Sequence, residues 1–243
     1  MGDTQCWRTP GRFFCYDGNS FTKREQTAQE VIFTPQGKMV MPPQSSERLL
    51  NEFETLKFIA ARTTIPVPKV LAFKHVWGAY QLIMERVRGV SLDCIKGVER
   101  ADAVNNAERF ISKVVTPQLQ SLTSYTMGAL IGAVILPDRI TSRDDRANWP
   151  IRSECTPKFS FCHNDLAQHN ILMNPNTLQV EAIIDWEISG FYNPDFEAPL
   201  WTKAWYEPEY HDIGSDSVSR LIHFLQGSSD DPNLIRSTTL SSR

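Results

Sequence analysis

The 243-residue sequence contains no apolar run near the roughly 18 residues that a membrane-spanning helix needs. The longest candidate, Met127 to Pro137, is too short, so no membrane partner is expected. The opening residues, Met1-Gly-Asp-Thr-Gln-Cys6, lack the basic and apolar regions of a secretory signal. They also miss the myristoylation pattern, because Cys6 stands where Ser or Thr is required. No Cys-x-x-Cys occurs, and the five cysteines (Cys6, Cys15, Cys94, Cys155 and Cys162) are odd in number and widely spaced. Reduced thiols in a cytoplasmic protein are therefore expected, with no disulfide frame and no zinc site. There is no G-x-G-x-x-G and no internal repeat of 20–50 residues. A charge excess is missing too: 25 Lys and Arg against 28 Asp and Glu give a net charge of -3. That balance gives no global electrostatic reason to bind nucleic acid.

Ordinary globular chemistry remains. Apolar residues are 41% and charged residues 22%, and the length suits one large domain or two lobes around a cleft. Arg12 to Tyr16 and Ser20 to Arg24 flank Asp17-Gly18-Asn19, a strong hairpin signal. Val31-Ile-Phe33 reads as a possible strand, Pro35-Gln-Gly37 as a turn, and Pro42-Pro43 excludes regular structure. Residues 46–62 predict a helix capped by Ser46, with Leu49, Phe53, Leu56 and Ala60 on one face. Glu52 borders that stripe, whereas Glu54 points to solvent. Val70 to His75 and Tyr80 to Val87 read as strands, and Ser91 as the cap of a further helix. Residues 101–122 are helical in pattern, with Pro117 expected to kink or end the helix, and 137–158 read as a loop. Short strands are expected at Phe159 to Cys162 and Val180 to Ile184, a last helix at Val218 to Leu225, and a flexible tail at 227–243.

The chemistry is concentrated in Phe161-Cys-His-Asn-Asp-Leu-Ala-Gln-His-Asn-Ile-Leu172, which contains His163-x-Asp165-x-x-x-x-Asn170. Fifteen residues after Asn170 comes Asp185, within Ile183-Ile-Asp-Trp-Glu187. Phosphoryl transfer needs metal ions that bridge phosphates and a carboxylate that accepts the acceptor's proton. Asn170 and Asp185 offer hard oxygen ligands for Mg²⁺. Asp165 sits on a loop able to present it to a hydroxyl group. As caps or turn residues these three would be purely structural. His169 reads as a loop residue, and no His/Cys cluster supports zinc.

His163-Asn-Asp165-Leu with Asn170, followed by Ile184-Asp-Trp-Glu187, resembles the aminoglycoside phosphotransferase and choline kinase group. These are small-molecule relatives of protein kinases. Ile65-Pro-Val-Pro-Lys69 and Leu82-Ile-Met-Glu85 look most like its fungal branch, and the resemblance covers about residues 12–210. It implies an α+β, protein-kinase-like bilobal fold. A small antiparallel-β lobe with one main helix would span 1–87, and a mainly helical, shortened lobe 88–226. It implies ATP and Mg²⁺, with Asp165 as base, His163 bracing the loop, and Asn170 and Asp185 as metal ligands. Lys23 would hold the α- and β-phosphates and pair with Glu52. The strand at Met84, Glu85 and Arg86 would meet the adenine with its backbone amides. The acceptor would be a small hydroxyl compound.

Two departures bear on activity: no Gly-rich lid is evident before Lys23, and the segments around 128–163 and after 210 are short. A pseudokinase or binding module, or a scaffold repurposed for another group transfer, are the competing readings. A protein kinase is disfavoured, because Trp-Glu follows Asp185 and no Ala-Pro-Glu follows. The aromatics of 191–210 read as core. Glu187, Asp195, Glu197, Glu207 and Glu209 read as a solvated face. Taken together, the two sets would suit a cationic acceptor on the side where it enters.

Overall fold

A computed structural model describes residues 4–226, except Thr34, Lys38, Met41, Pro42, Asp145, Ala147 and Asn148. The tail expected at 227–243 lies outside the described residues. The fold is α+β and kinase-like. A five-stranded antiparallel sheet has the order β1-β2-β3-β7-β6. Its strands are β1 (Gln5–Arg8), β2 (Phe13–Asp17), β3 (Ser20–Arg24), β6 (Val70–Val76) and β7 (Ala79–Glu85). Gly18 turns β2 into β3 at φ 58, a left-handed value that glycine adopts without strain. The register sets Phe14 opposite Lys23 and Tyr16 opposite Phe21. Trp7, Phe14, Tyr16 and Phe21 then form one aromatic cluster, with Trp7 and Phe14 stacked at 5.3 Å. A small hairpin, β4 (Ile32–Phe33) and β5 (Met39–Val40), precedes helix α1 (Ser45–Arg62).

The β1–β2 pairing corrects the cysteine expectation. It places Cys6 opposite Cys15, and the two are joined by a disulfide. Cys94, Cys155 and Cys162 are free. Wide spacing in sequence hid a cross-strand neighbour, because β1 carries no hairpin signal of its own. The bond also removes the cysteine argument for a cytoplasmic setting. Among the described residues, no helix is long and apolar enough to cross a membrane.

Helix α1 packs on β6 and β7, with Phe53 stacked on Phe73 at 4.8 Å. Its start differs from expectation. Gln44, at φ 52, occupies the cap position, and the Ser46 hydroxyl donates to Glu25 instead. The buried face carries Leu49, Asn51, Glu52, Thr55, Leu56 and Ile59, while Ala60 is exposed. Glu52 therefore lies within the inward stripe and not at its border.

After β8 (Val90–Ser91) comes a single 3₁₀ turn, Leu92–Cys94, where a capped helix was expected. Helix α2 (Glu99–Phe110) then runs through a π-helical turn, Ile111–Val115, into α3 (Thr116–Ser121). Pro117 lies in the first turn of α3, where a missing N–H costs little, so it does not end the helix. Ala103, Ala107, Ile111, Val115 and Leu119 are buried at intervals of four. On an unbroken α-helix that spacing drifts by about 160° from first to last. The π turn absorbs the drift and keeps the seam on the core.

The rest of the second lobe is built on short strands. One sheet has the order β13-β10-β9, from β9 (Thr123–Ser124), β10 (Phe159–Cys162) and β13 (Gly190–Tyr192). The other joins β8 to β11 (Ile171–Met173) and β12 (Val180–Ile183). Residues 137–158, expected to be loop, contain a one-turn helix, α4 (Asp138–Thr141), and α5 (Ser215–Gln226) packs near it. Gly190 lies against the 128–129 backbone: a Cβ there would sit 2.5 Å from the Gly128 carbonyl oxygen. Gly190→Ala should therefore lower stability by at least about 2 kcal/mol, read as a fall in the urea midpoint. A midpoint within error of wild type would refute that close approach.

Candidate active site

The structure gathers widely separated charges around one lysine. Lys23 leaves the sheet on β3, and its ammonium is buried. It lies 2.8 Å from Glu52 on α1, 2.6 Å from Asp185 and 2.9 Å from Glu187. Glu187 also binds Arg48 at 2.6 Å and Arg12 at 3.4 Å. Three cations thus face three carboxylates. Glu187 has three cationic neighbours and stays ionised well below the usual range. Glu52 has only Lys23, and burial pushes it up to about 7. Lys23 is held protonated by Asp185, Glu187 and Glu52 against the opposing effect of burial. Carboxylate oxygens of Glu52, Asp185 and Glu187 lie within 4.8 Å of one another, and the ammonium occupies the space between them. Glu54, the rejected alternative, is on the surface with Lys57 at 3.2 Å.

Asn51 locks α1 onto the Asp185 segment. Its amide nitrogen donates to the carbonyls of Glu187 and Ser189 at 3.2 and 2.9 Å. The segment begins at the end of β12, where Asp185 adopts φ 64. Left-handed backbone at a non-glycine residue is uncommon and is tolerated best by Asn and Asp. The same device recurs at Asn164, φ 69.

His163 joins the two segments. Its Nε2 is 3.0 Å from the Ile184 carbonyl, and Nδ1 accepts the Asp165 N–H at 3.2 Å. Nε2 is then the donor, and the ring is neutral. Burial lowers its pKa to about 4. The ring lies 4.4 Å from that of Trp186 and is completely buried, so His163 braces the loop. Asp165 is partly exposed. Its Oδ2 accepts from the Asn170 amide at 3.1 Å, and its backbone carbonyl does so at 2.8 Å. Burial and the nearby Asp185 charge raise the Asp165 pKa to about 7. With its nitrogen turned to Asp165, Asn170 has its carbonyl oxygen uncommitted among the described residues. His169 lies on the loop, 3.9 Å from Asp165.

Two cavities flank this centre. The smaller, about 130 Å³, is walled by Phe14, Phe21, Met84, Leu172 and Ile184 and ends on Lys23, Glu52 and Asp185. Glu85 and Val87 lie along its edge. The Glu85 and Arg86 amides already donate to the Lys69 and Asn19 carbonyls, each at 2.8 Å. Among the described residues, the Val87 N–H has no partner. The larger cavity, about 470 Å³, opens beside Asp165 and is lined by Arg48, Asp138, Arg139 and Arg143.

The expected solvated acidic face is overturned in part. Glu187 is buried in the ion cluster, and Glu197 accepts the backbone N–H groups of His163 and Asn164. The aromatics divide. Tyr192 and Phe196 are core, whereas Trp205 and Tyr206 are exposed. Glu187, Arg12 and Arg48 are site residues that sequence reasoning missed. For Glu187 the available signal was its spacing two residues beyond Asp185. Arg12 and Arg48 carried none.

Comparison with known proteins bears on this geometry. The family model described as "Phosphotransferase enzyme family" matches residues 27–209. The chain belongs to the phosphotransferase enzyme family. A search of the curated proteins finds no match. Among solved structures, this family member resembles aminoglycoside phosphotransferase APH(3'')-Id from Streptomyces rimosus at a TM-score of 0.54 and 17% identity. That match covers 95% of this chain and 88% of the other. A thermostable mutant of aminoglycoside phosphotransferase APH(4)-Ia, in ternary complex with AMP-PNP and hygromycin B, matches at a TM-score of 0.52 and 14% identity. Coverage there is 80% and 70%. At these identities the likeness is one of fold.

Glu197 gives a pH test. Burial raises its pKa to about 7, above the roughly 4.5 of a free carboxyl. Between those values the folded state binds more protons than the unfolded one, so stability falls as pH rises from about 4.5 through about 7. Glu197→Gln removes that share of the slope. Its melting temperature should gain on wild type between pH 5 and pH 8, and an unchanged difference would contradict a buried carboxylate that has no cation within ion-pair distance among the described residues.

Proposed function

We propose that this family member is an ATP- and Mg²⁺-dependent kinase that phosphorylates a hydroxyl group of a small molecule. The observation that carries this reading is the placement of Asp165, held by Asn170, between a lysine-based charge cluster and an open cavity. The nucleotide would enter the smaller cavity, its adenine between Met84 and Leu172, with Val87 as the free backbone donor. Lys23, oriented by Glu52, would hold the phosphates. The donor set fits Mg²⁺: the Asp185 carboxylate and the uncommitted Asn170 carbonyl are hard oxygen ligands. When bound, the ion neutralises charge developing on the phosphates.

Asp165 orients the acceptor hydroxyl and takes its proton as the oxygen bonds to the γ-phosphorus. The bond to the β-phosphate oxygen breaks, and ADP leaves. Asn170 fixes the Asp165 carboxylate, and His163 fixes the loop against the strand that carries Asp185. The need for ATP is the remaining ground for a cytoplasmic setting.

A binding module is the second reading. It is favoured by the short Thr9–Arg12 turn that stands in place of a Gly-rich lid and commits Arg12 to Ser45 and Glu187.

Asp165→Asn should lower kcat by about 10²- to 10⁴-fold in ADP-release assays while leaving Mg-ATP binding in place. For wild type, kcat/KM should rise with pH along a limb at or below about 7, as the base loses its proton. Asp185→Ala should abolish turnover and keep a cooperative melt. Unchanged turnover in either variant refutes the kinase reading.

A further inference from the structure

The larger cavity is the space an acceptor must occupy, and its walls are not those of a cation site. Its ionic groups are Arg48, Arg139 and Arg143 against Asp138 and Asp165. Asp165 is reserved for the acceptor hydroxyl, and Asp138 lies out on the rim with its side chain 89% exposed. None of Glu187, Asp195, Glu197, Glu207 and Glu209 is among the lining residues. The carboxylates that would favour a cationic acceptor have therefore turned into the protein or lie elsewhere.

The arginines are unevenly neutralised. Arg48 gives one arm to Glu187 at 2.6 Å, and its other arm lies 4.0 Å from Asp138. Arg139 has no carboxylate within ion-pair distance among the described residues. Its two terminal nitrogens donate to the backbone carbonyls of Asn164, at 2.7 Å, and Phe196. Those bonds hold the guanidinium in place without cancelling its charge. The Nε–H groups of Arg48 and Arg139 also lack an acceptor, but they are buried and do not open onto the cavity. Arg143 is exposed at the cavity wall, and its side chain has no acceptor among the described residues. A guanidinium with spare donors, at the wall of an open cavity, binds oxyanions by charge-assisted and often bidentate hydrogen bonds.

We propose that the acceptor is a hydroxylated small anion, bearing a carboxylate or phosphate group that Arg143 and Arg139 bind while its hydroxyl faces Asp165. This rests on the kinase reading for the acceptor role, but the charge preference of the cavity stands apart from it. Aminoglycoside-like polycations would meet like charge here, which costs them affinity and so builds specificity against them.

The test uses glucose and three six-carbon derivatives of it: glucosamine, gluconate and glucose 6-phosphate. Melting temperature is recorded for the full chain with each, and separately with Mg-ATP. One or both anions should half-saturate at a concentration at least about tenfold below that of glucosamine, the scale of one hydrogen bond to a charged group. Gluconate against glucose 6-phosphate tells carboxylate from phosphate. Arg143→Ala should lose that advantage and keep the Mg-ATP shift, and Arg143→Glu should turn the preference toward glucosamine. Glucose or glucosamine binding as tightly as the anions overturns the proposal, as does anion binding that Arg143→Ala leaves unchanged. So does a lack of any anion shift while Mg-ATP still stabilises. An anion shift without an Mg-ATP shift overturns the kinase reading and the acceptor role with it, leaving only the charge preference.

Discussion

Burial of the Lys23 ammonium is the constraint around which both lobes are arranged. Taking an ion out of water costs several kcal/mol after relaxation, so a buried lysine persists only where carboxylates meet it with good geometry. Here they come from Glu52 on α1 and from the segment after β12, where Asp185 lies 133 residues further along the chain than Glu52. Removing one partner would strand the others, which makes the cluster a specification of geometry more than a source of stability. Asn51, Thr55 and Ser189 reinforce it with neutral hydrogen bonds between the same two elements. Arg12 ties in the β1–β2 turn.

That arrangement separates two cavities of different character. The wall made by Phe14, Phe21, Met84, Leu172 and Ile184 is apolar. The arginine-rich cavity on the other side of the charge cluster is polar and open. Asp165 stands between them on a loop pinned from both ends, by His163 to Ile184 and by Asn170 to its own backbone. If Asp165 is the base of the proposed reaction, it gains from such pinning, because misplacement by an ångström is costly in rate.

The sequence made the framework legible where local signals were strong. Asp17-Gly18 announced the β2–β3 hairpin, and the alternating runs at 70–85 announced β6 and β7. Asp165, Asn170 and Asp185 could be named because they sit at a spacing tied to a chemical task, and Lys23 and Glu52 because the family resemblance implies such a pair and Glu52, unlike Glu54, borders the inward face of its helix. What escaped depended on contacts far apart in the chain. The Cys6–Cys15 bond needs β1, whose four exposed residues carry no periodicity. Glu187 looks like a surface acid until Lys23, Arg12 and Arg48 surround it. Pro117 reads as a helix breaker until the π turn before it is visible. Cavity charge was the least legible feature, since Arg48, Arg139 and Arg143 meet only through tertiary packing.

The central claim is that Lys23 and its carboxylates are a nucleotide phosphate site and not merely a buried salt bridge. Calorimetric titration of wild type and Lys23→Met with ATP, in the presence and absence of Mg²⁺, tests it most directly. The account predicts one site per chain, tighter binding with Mg²⁺, and loss of that binding in a variant that still melts cooperatively. Equal Mg-ATP affinity in wild type and Lys23→Met, or no binding to wild type at all, would contradict it.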